Sequence, residues 1–198
     1  MPFSVVVLAG GRSSRFGKDK LLQEFKGKKV VENVIEAAKD SEAEEVIIAL
    51  KKLTEDYEKI INKYNLIYAQ DYIAESTPLA GLCAGARASK NRDIVVISGD
   101  SPLVDPYFFN FMGSALKGLS CEAAVPLWPD GKIEAIHATY AKLPVLRACD
   151  KMTKIKDLEV KRILLYLNSV YFIPVEELNK KALFDADTEE ELEALKKL

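Results

Sequence analysis

The stretch best equipped for chemistry is Leu8-Ala9-Gly10-Gly11-Arg12-Ser13-Ser14-Arg15-Phe16-Gly17-Lys18-Asp19-Lys20, which directly follows a short apolar run. Adjacent glycines let backbone N–H groups approach an anion closely, because no Cβ blocks them. Four cations, Arg12, Arg15, Lys18 and Lys20, add charge suited to phosphate oxygens. A loop at the carboxyl end of a parallel strand is also where open α/β sheets bind ligands, so the stretch points to a nucleotide polyphosphate. It is not a P-loop, since five residues separate Gly11 from Gly17 and Asp19 follows Lys18. Nor is it the dinucleotide fingerprint, because Gly10 and Gly11 are adjacent and Ser14 occupies the late glycine position. The competing reading is a tight strand-to-helix turn with solvated cations.

Three further stretches carry candidate groups. In Ser98-Gly99-Asp100-Ser101-Pro102, Asp100 stands just past an apolar run, where a carboxylate can hold a hard divalent cation against phosphate oxygens. Mg²⁺ is the expected ion; the alternative is a turn that caps the next helix. Asp71 precedes Thr77-Pro78-Leu79-Ala80-Gly81 and either accepts hydrogen bonds from a ribose or base or makes a local Asx turn. In Phe184-Asp185-Ala186-Asp187-Thr188, Asp187 is a candidate second metal ligand or a helix cap. The lone His137 reads as a structural or surface histidine, Trp128 as an anchor for its loop, and Cys83 as buried packing.

These groups need a scaffold, and the apolar runs supply one. Phe3 to Leu8, Glu45 to Leu50 and Ile94 to Ser98 read as strands buried on both faces, with Leu66 to Ala69 a shorter one. Helix-period segments at Val30 to Lys39, Glu55 to Lys63 and Pro78 to Ala88 alternate with them, the last opened by a Thr77-Pro78 cap. That alternation predicts an α/β domain with a parallel sheet. Beyond Pro106 we expect a helix at Tyr107 to Lys117 and strands at Ala123 to Leu127 and Ile136 to Tyr140, joined as a hairpin or a loop excursion. A helix at Asp157 to Leu167, a strand at Ser169 to Ile173 and a charged helix after Thr188, with capping-box spacing, complete the chain as one domain over residues 1–198.

Composition narrows the function classes. At 198 residues and 48% hydrophobic the chain can pack a core without metal or disulfide staples. Its 28 basic against 30 acidic residues give no global attraction to nucleic acid or an anionic membrane. Three widely spaced cysteines with no C-x-x-C pair argue against zinc and for a reducing compartment. No basic flank precedes the first apolar run and no run has the length of a membrane span, so a cytoplasmic protein is expected.

The order of the four stretches resembles that in the molybdenum cofactor guanylyltransferases, within a broader family of nucleotidyltransferases, over nearly the whole chain. The resemblance implies a three-layer Rossmann-like nucleotidyltransferase fold with a mainly parallel sheet. It also implies Mg²⁺-dependent transfer of GMP from GTP to the molybdopterin cofactor, with release of pyrophosphate. Leu8, Ala9, Gly10, Gly11 and Lys20 would hold GTP, together with Asp71 and Pro78, Leu79, Ala80 and Gly81, while Asp100 would bind Mg²⁺. Arg15 and Lys20 would neutralise the triphosphate, and molybdoenzyme apoproteins or their chaperones would be protein partners. The chain departs from the family pattern at Phe16, at Glu134-Ala135-Ile136 and at Asp185 and Asp187, the last two similar to cytidylyltransferase relatives. The alternatives are therefore CMP transfer, transfer to a sugar phosphate, and a carrier that binds nucleotide or pterin without turnover.

Overall fold

The structure is a computed structural model that describes residues 2–10, 19–73, 75, 77–186 and 188–197. The expectations at Gly11, Arg12, Arg15, Lys18 and Asp187 lie outside the described residues. The elements in chain order are β1 (Phe3–Leu8), β2 (Glu24–Phe25), β3 (Lys28–Lys29), α1 (Val30–Lys39), β4 (Glu45–Leu50), α2 (Glu55–Tyr64), β5 (Ile67–Gln70) and α3 (Pro78–Ala88). There follow β6 (Asp93–Ser98), α4 (Pro106–Ser114), β7 (Ala123–Leu127), β8 (Thr139–Ala141), α5 (Lys142–Lys154), β9 (Val170–Pro174) and α6 (Glu189–Leu195).

Seven strands form one sheet in the order β5-β4-β1-β6-β8-β7-β9. Only β8 runs against its neighbours; the other pairings are parallel. Because side chains alternate along a strand, β1 feeds two cores at once: Val5 and Val7 pack with α1 and α4 on one face, Val6 and Leu8 with α3 and α5 on the other. The chain winds outward through β4 and β5, then crosses back by α3 to β6 on the far side of β1. The order reverses between β1 and β6, and the carboxyl ends of those two strands carry Ala9-Gly10 and Gly99-Asp100. Topology thus brings two of the candidate stretches to one crevice.

Helix α3 lies unusually close to the sheet. A Cβ on Gly85 would stand 2.2 Å from Val6 Cγ1, so only glycine lets the helix rest on β1 and hold its N-terminus at the crevice. Several sequence readings needed revision. The excursion is an antiparallel return in which β8 inserts between β6 and β7, and His137 lies in the turn before β8 instead of within a strand. Val160–Tyr166 is 3₁₀, and α5 was not anticipated: Pro144 reads as a breaker but sits in the first turn, where its missing N–H has no intrahelical partner to lose, and no side chain caps the start at Ala141. No described helix is long and apolar enough to cross a membrane.

Cys83 does not pack as a free thiol but forms a disulfide with Cys149, joining α3 to α5 across a Cα–Cα distance of 5.8 Å. Its partner lies 66 residues away, so local pattern held no trace of it. Such bonds are rare in reducing compartments outside hyperthermophiles, and the compartment does not follow from the cysteine count. For a closed loop of that size, chain entropy assigns the bond about 4 kcal/mol of stability. Denaturant unfolding of the oxidised protein and of Cys149→Ser should differ by that order; coincident curves would show that the thiols are unlinked in solution.

Candidate functional site

The crevice is built from backbone outward. Ala9 N–H donates to Ala49 O at 2.9 Å, and Gly99 N–H donates to Leu8 O at 2.9 Å, so the turn after β1 is tied to both neighbouring strands. A Cβ at position 99 would lie 2.9 Å from Leu8 O; glycine is required there for the strands to end side by side. Behind this edge lies a small cleft of about 70 Å³, lined among others by Leu8, Gly10, Asp71, Pro78, Gly81 and Ser98. Its place at the carboxyl ends of the strands and its mixed lining suit one end of a nucleoside. Leu79 and Ala80 do not line it: both are buried, Leu79 in the core beneath α3.

The far wall is the start of α3. Thr77 caps it by accepting from Ala80 N–H at 3.3 Å, and Pro78 occupies the first turn, as its spacing predicts. Pro78 has no N–H, and the Ala80 and Gly81 N–H groups are both bonded to Thr77, so this wall meets a ligand through the surfaces of Thr77, Pro78 and Gly81. Asp71 is buried and accepts from Ile73 N–H at 2.8 Å, the Asx contact, while still lining the cleft. Burial pushes its carboxyl above the usual range, opposed by that hydrogen bond and by Lys51.

At the rim, Lys20 forms an ion pair with Asp100, which also accepts a hydrogen bond from Ser98, itself a lining residue. Lys20 opens a 3₁₀ turn whose N-cap, Asp19, accepts from Leu21 N–H at 3.1 Å and from Tyr57 Oη of α2 at 2.9 Å. Lys20 is therefore placed from two elements. Asp100 is not a helix cap; Asp105 caps α4, accepting from Phe108 N–H at 2.8 Å. Among the described residues no cluster of three metal-ligating side chains exists. Asp100 and Ser98 offer oxygen donors, with the Lys20 ammonium on one Asp100 oxygen; a Mg²⁺ here would have this one carboxylate, with water and substrate phosphates completing its shell, as is usual for that ion.

The tail returns to this rim. Ala186 N–H donates to Asp100 O at 2.9 Å, and Ser101 Oγ donates to Asp185 Oδ1 at 2.6 Å. Burial alone would raise the Asp185 carboxyl, but His137, Ser101 and the Lys20 charge together hold it below the ordinary carboxylate range. Trp128 does anchor its loop, its Nε1–H donating to Glu134 Oε1 at 2.7 Å. Sequence reasoning missed the contact among Ser101, His137 and Asp185, with Ser101 36 and 84 positions from the other two; the only signal was that the chain has a single histidine.

Residues 5–164 match the family described as the MobA-like NTP transferase domain. The chain is 31% identical over 196 residues to a "Probable molybdenum cofactor guanylyltransferase" of Thermococcus gammatolerans, covering 96% of this chain and 97% of that one. A protein of the same name from Methanosarcina mazei is 27% identical over 201 residues, covering 96% and 88%. Among solved structures, molybdopterin-guanine dinucleotide biosynthesis protein A from Archaeoglobus fulgidus aligns with a TM-score of 0.81 at 23% identity, over 98% of this chain and 97% of that one. That likeness shows the fold.

Proposed function

The chain belongs to the MobA-like NTP transferase family, and from that membership we propose that it is a guanylyltransferase, moving GMP from GTP to the terminal phosphate of the molybdopterin cofactor and releasing pyrophosphate. The observation that carries the reading is the meeting, at one sheet edge, of a cleft lined by the glycine turn, Asp71 and the start of α3 with the Lys20–Asp100 ion pair at its rim. Asp71 and the start of α3 would receive the nucleoside, and the Gly10 backbone with Lys20 the phosphates. The acceptor phosphate is already an anion, so no protein nucleophile is needed and the chain acts by positioning and charge neutralisation. Asp100 would hold Mg²⁺, which when bound neutralises charge on the phosphate oxygens. In this reading the reaction runs in the cytoplasm and its product passes to molybdoenzyme apoproteins or their chaperones.

A ligand that prefers the folded state stabilises it in proportion to the logarithm of its saturation. GTP with Mg²⁺ at about 100 times its dissociation constant should add roughly 3 kcal/mol, a rise of about 6–12 °C for a chain of this size. ATP, CTP and UTP at the same concentration should raise the melting temperature less. A preference for CTP would replace guanylyl by cytidylyl transfer, and equal shifts would remove base specificity altogether. Transfer from each of the four nucleotides to molybdopterin cofactor, followed by pyrophosphate release, separates an enzyme from a carrier, which would bind without releasing any.

A further inference from the structure

His137 is fully buried, yet no step of the proposed reaction uses it. Its Nε2 lies 2.8 Å from Ser101 Oγ and 3.3 Å from Asp185 Oδ1. Ser101 gives its single proton to Asp185, so the serine oxygen accepts from the imidazole and the Nε2–H is the donor. The other ring nitrogen, Nδ1, has no hydrogen-bond partner among the described residues. Glu134 Oε2 faces it at 3.9 Å, beyond hydrogen-bond reach.

An orphaned buried nitrogen lowers stability, and an apolar side chain of similar volume would fill the space without that penalty. A histidine at this position is therefore better explained by what its Nε2–H holds than by packing. What it holds is the joint between two segments of the rim. Ser101 follows Asp100 directly, Asp185 precedes Ala186, and Ala186 is bonded to the Asp100 carbonyl. Asp100, so joined to the tail, is the carboxylate that pairs with Lys20.

We propose that His137 is a positioning residue for nucleotidyl transfer: through Ser101 and Asp185 it locks the tail against the Asp100 loop and so fixes the carboxylate that pairs with Lys20. It does not touch substrate. The inference rests on the nucleotidyl-transfer reading but not on the choice of base or acceptor. A displacement of about 1 Å in such groups costs on the order of 10²-fold in rate when the geometry is that of the reacting complex.

The test uses the full chain and the fact that His137 is its only histidine. Isotope labelling of histidine gives a single imidazole spectrum. At constant pH it should show one exchange-protected Nε2–H that shifts on addition of magnesium pyrophosphate, the product common to every nucleotidyltransferase, and again with GTP and Mg²⁺. His137→Leu should lower kcat roughly 10- to 100-fold with KM for GTP little changed. His137→Gln, which keeps an N–H donor, should recover most of that loss and guards against misfolding of the leucine variant. The His137→Leu and Asp185→Asn losses should not multiply in the double variant. If GTP and molybdopterin support no turnover while the imidazole signal still responds to magnesium pyrophosphate, the guanylyl reading fails and the positioning role stands. An imidazole spectrum moved by neither magnesium pyrophosphate nor GTP, multiplicative losses, or leucine matching glutamine in kcat overturns the inference.

Discussion

Asp100→Asn should lose on the order of 10²-fold or more in turnover while keeping a melting temperature close to the parent's. Asparagine retains the shape and an oxygen that can accept from Ser98, so the local turn survives. What disappears is the negative charge. With it goes the pairing to Lys20 and, in the proposed reaction, the hold on Mg²⁺ against the phosphate oxygens. The structure sharpens this prediction by removing its main competitor: the cap of α4 is Asp105, so a substitution at Asp100 cannot act through that helix. Pyrophosphate release should be followed across a Mg²⁺ titration in both proteins, alongside thermal unfolding. A variant with parental turnover and parental metal dependence would sink the metal-ligand assignment.

Lys20→Ala should cost turnover on a similar scale, roughly 10²-fold, and Lys20→Arg should not restore it. The lysine is a compact point charge delivered from a short turn, and a planar guanidinium of different reach does not reproduce its position. The fold should be little affected, because Asp19 still caps the turn and Leu21 still packs beneath it. The alanine leaves Asp100 with its Ser98 bond but without its cationic partner. Circular dichroism, melting temperature and pyrophosphate release measured together separate the two roles. Unchanged turnover would make Lys20 a solvated charge and move the triphosphate elsewhere; a large drop in melting temperature would make it structural.

The scaffold was legible because its signals are local. The buried strand at Phe3–Leu8 announces itself by an unbroken apolar run, and α1, α3 and β7 have the boundaries their periodicity implies. The Thr77-Pro78 start of α3 and the Thr188–Glu191 capping box of α6 depend on residues within one helical turn, so residue type and spacing specify them. The carboxylates at Asp71 and Asp100 could be placed at strand ends for the same reason. Where the local signal is weak the reading failed: α5 begins without a cap and with Pro144 in its first turn, and Val160–Tyr166 carries helical spacing but winds as 3₁₀.

Tertiary structure alone decided who meets whom. Lys20 and Asp100 are 80 positions apart and become a pair because β1 and β6 lie side by side at the point where strand order reverses. Cys83 finds Cys149 because α3 and α5 cover the same face of the sheet. His137 looked like one of many strand residues until the return through β8 carried it beneath the Asp100 loop, where the tail arrives from a third direction. None of these partners is encoded by spacing along the chain. Periodicity and caps record interactions across a few residues, whereas these contacts depend on strand order and on how closely each helix can approach the sheet, a distance that Gly85 sets for α3 by having no side chain to oppose Val6.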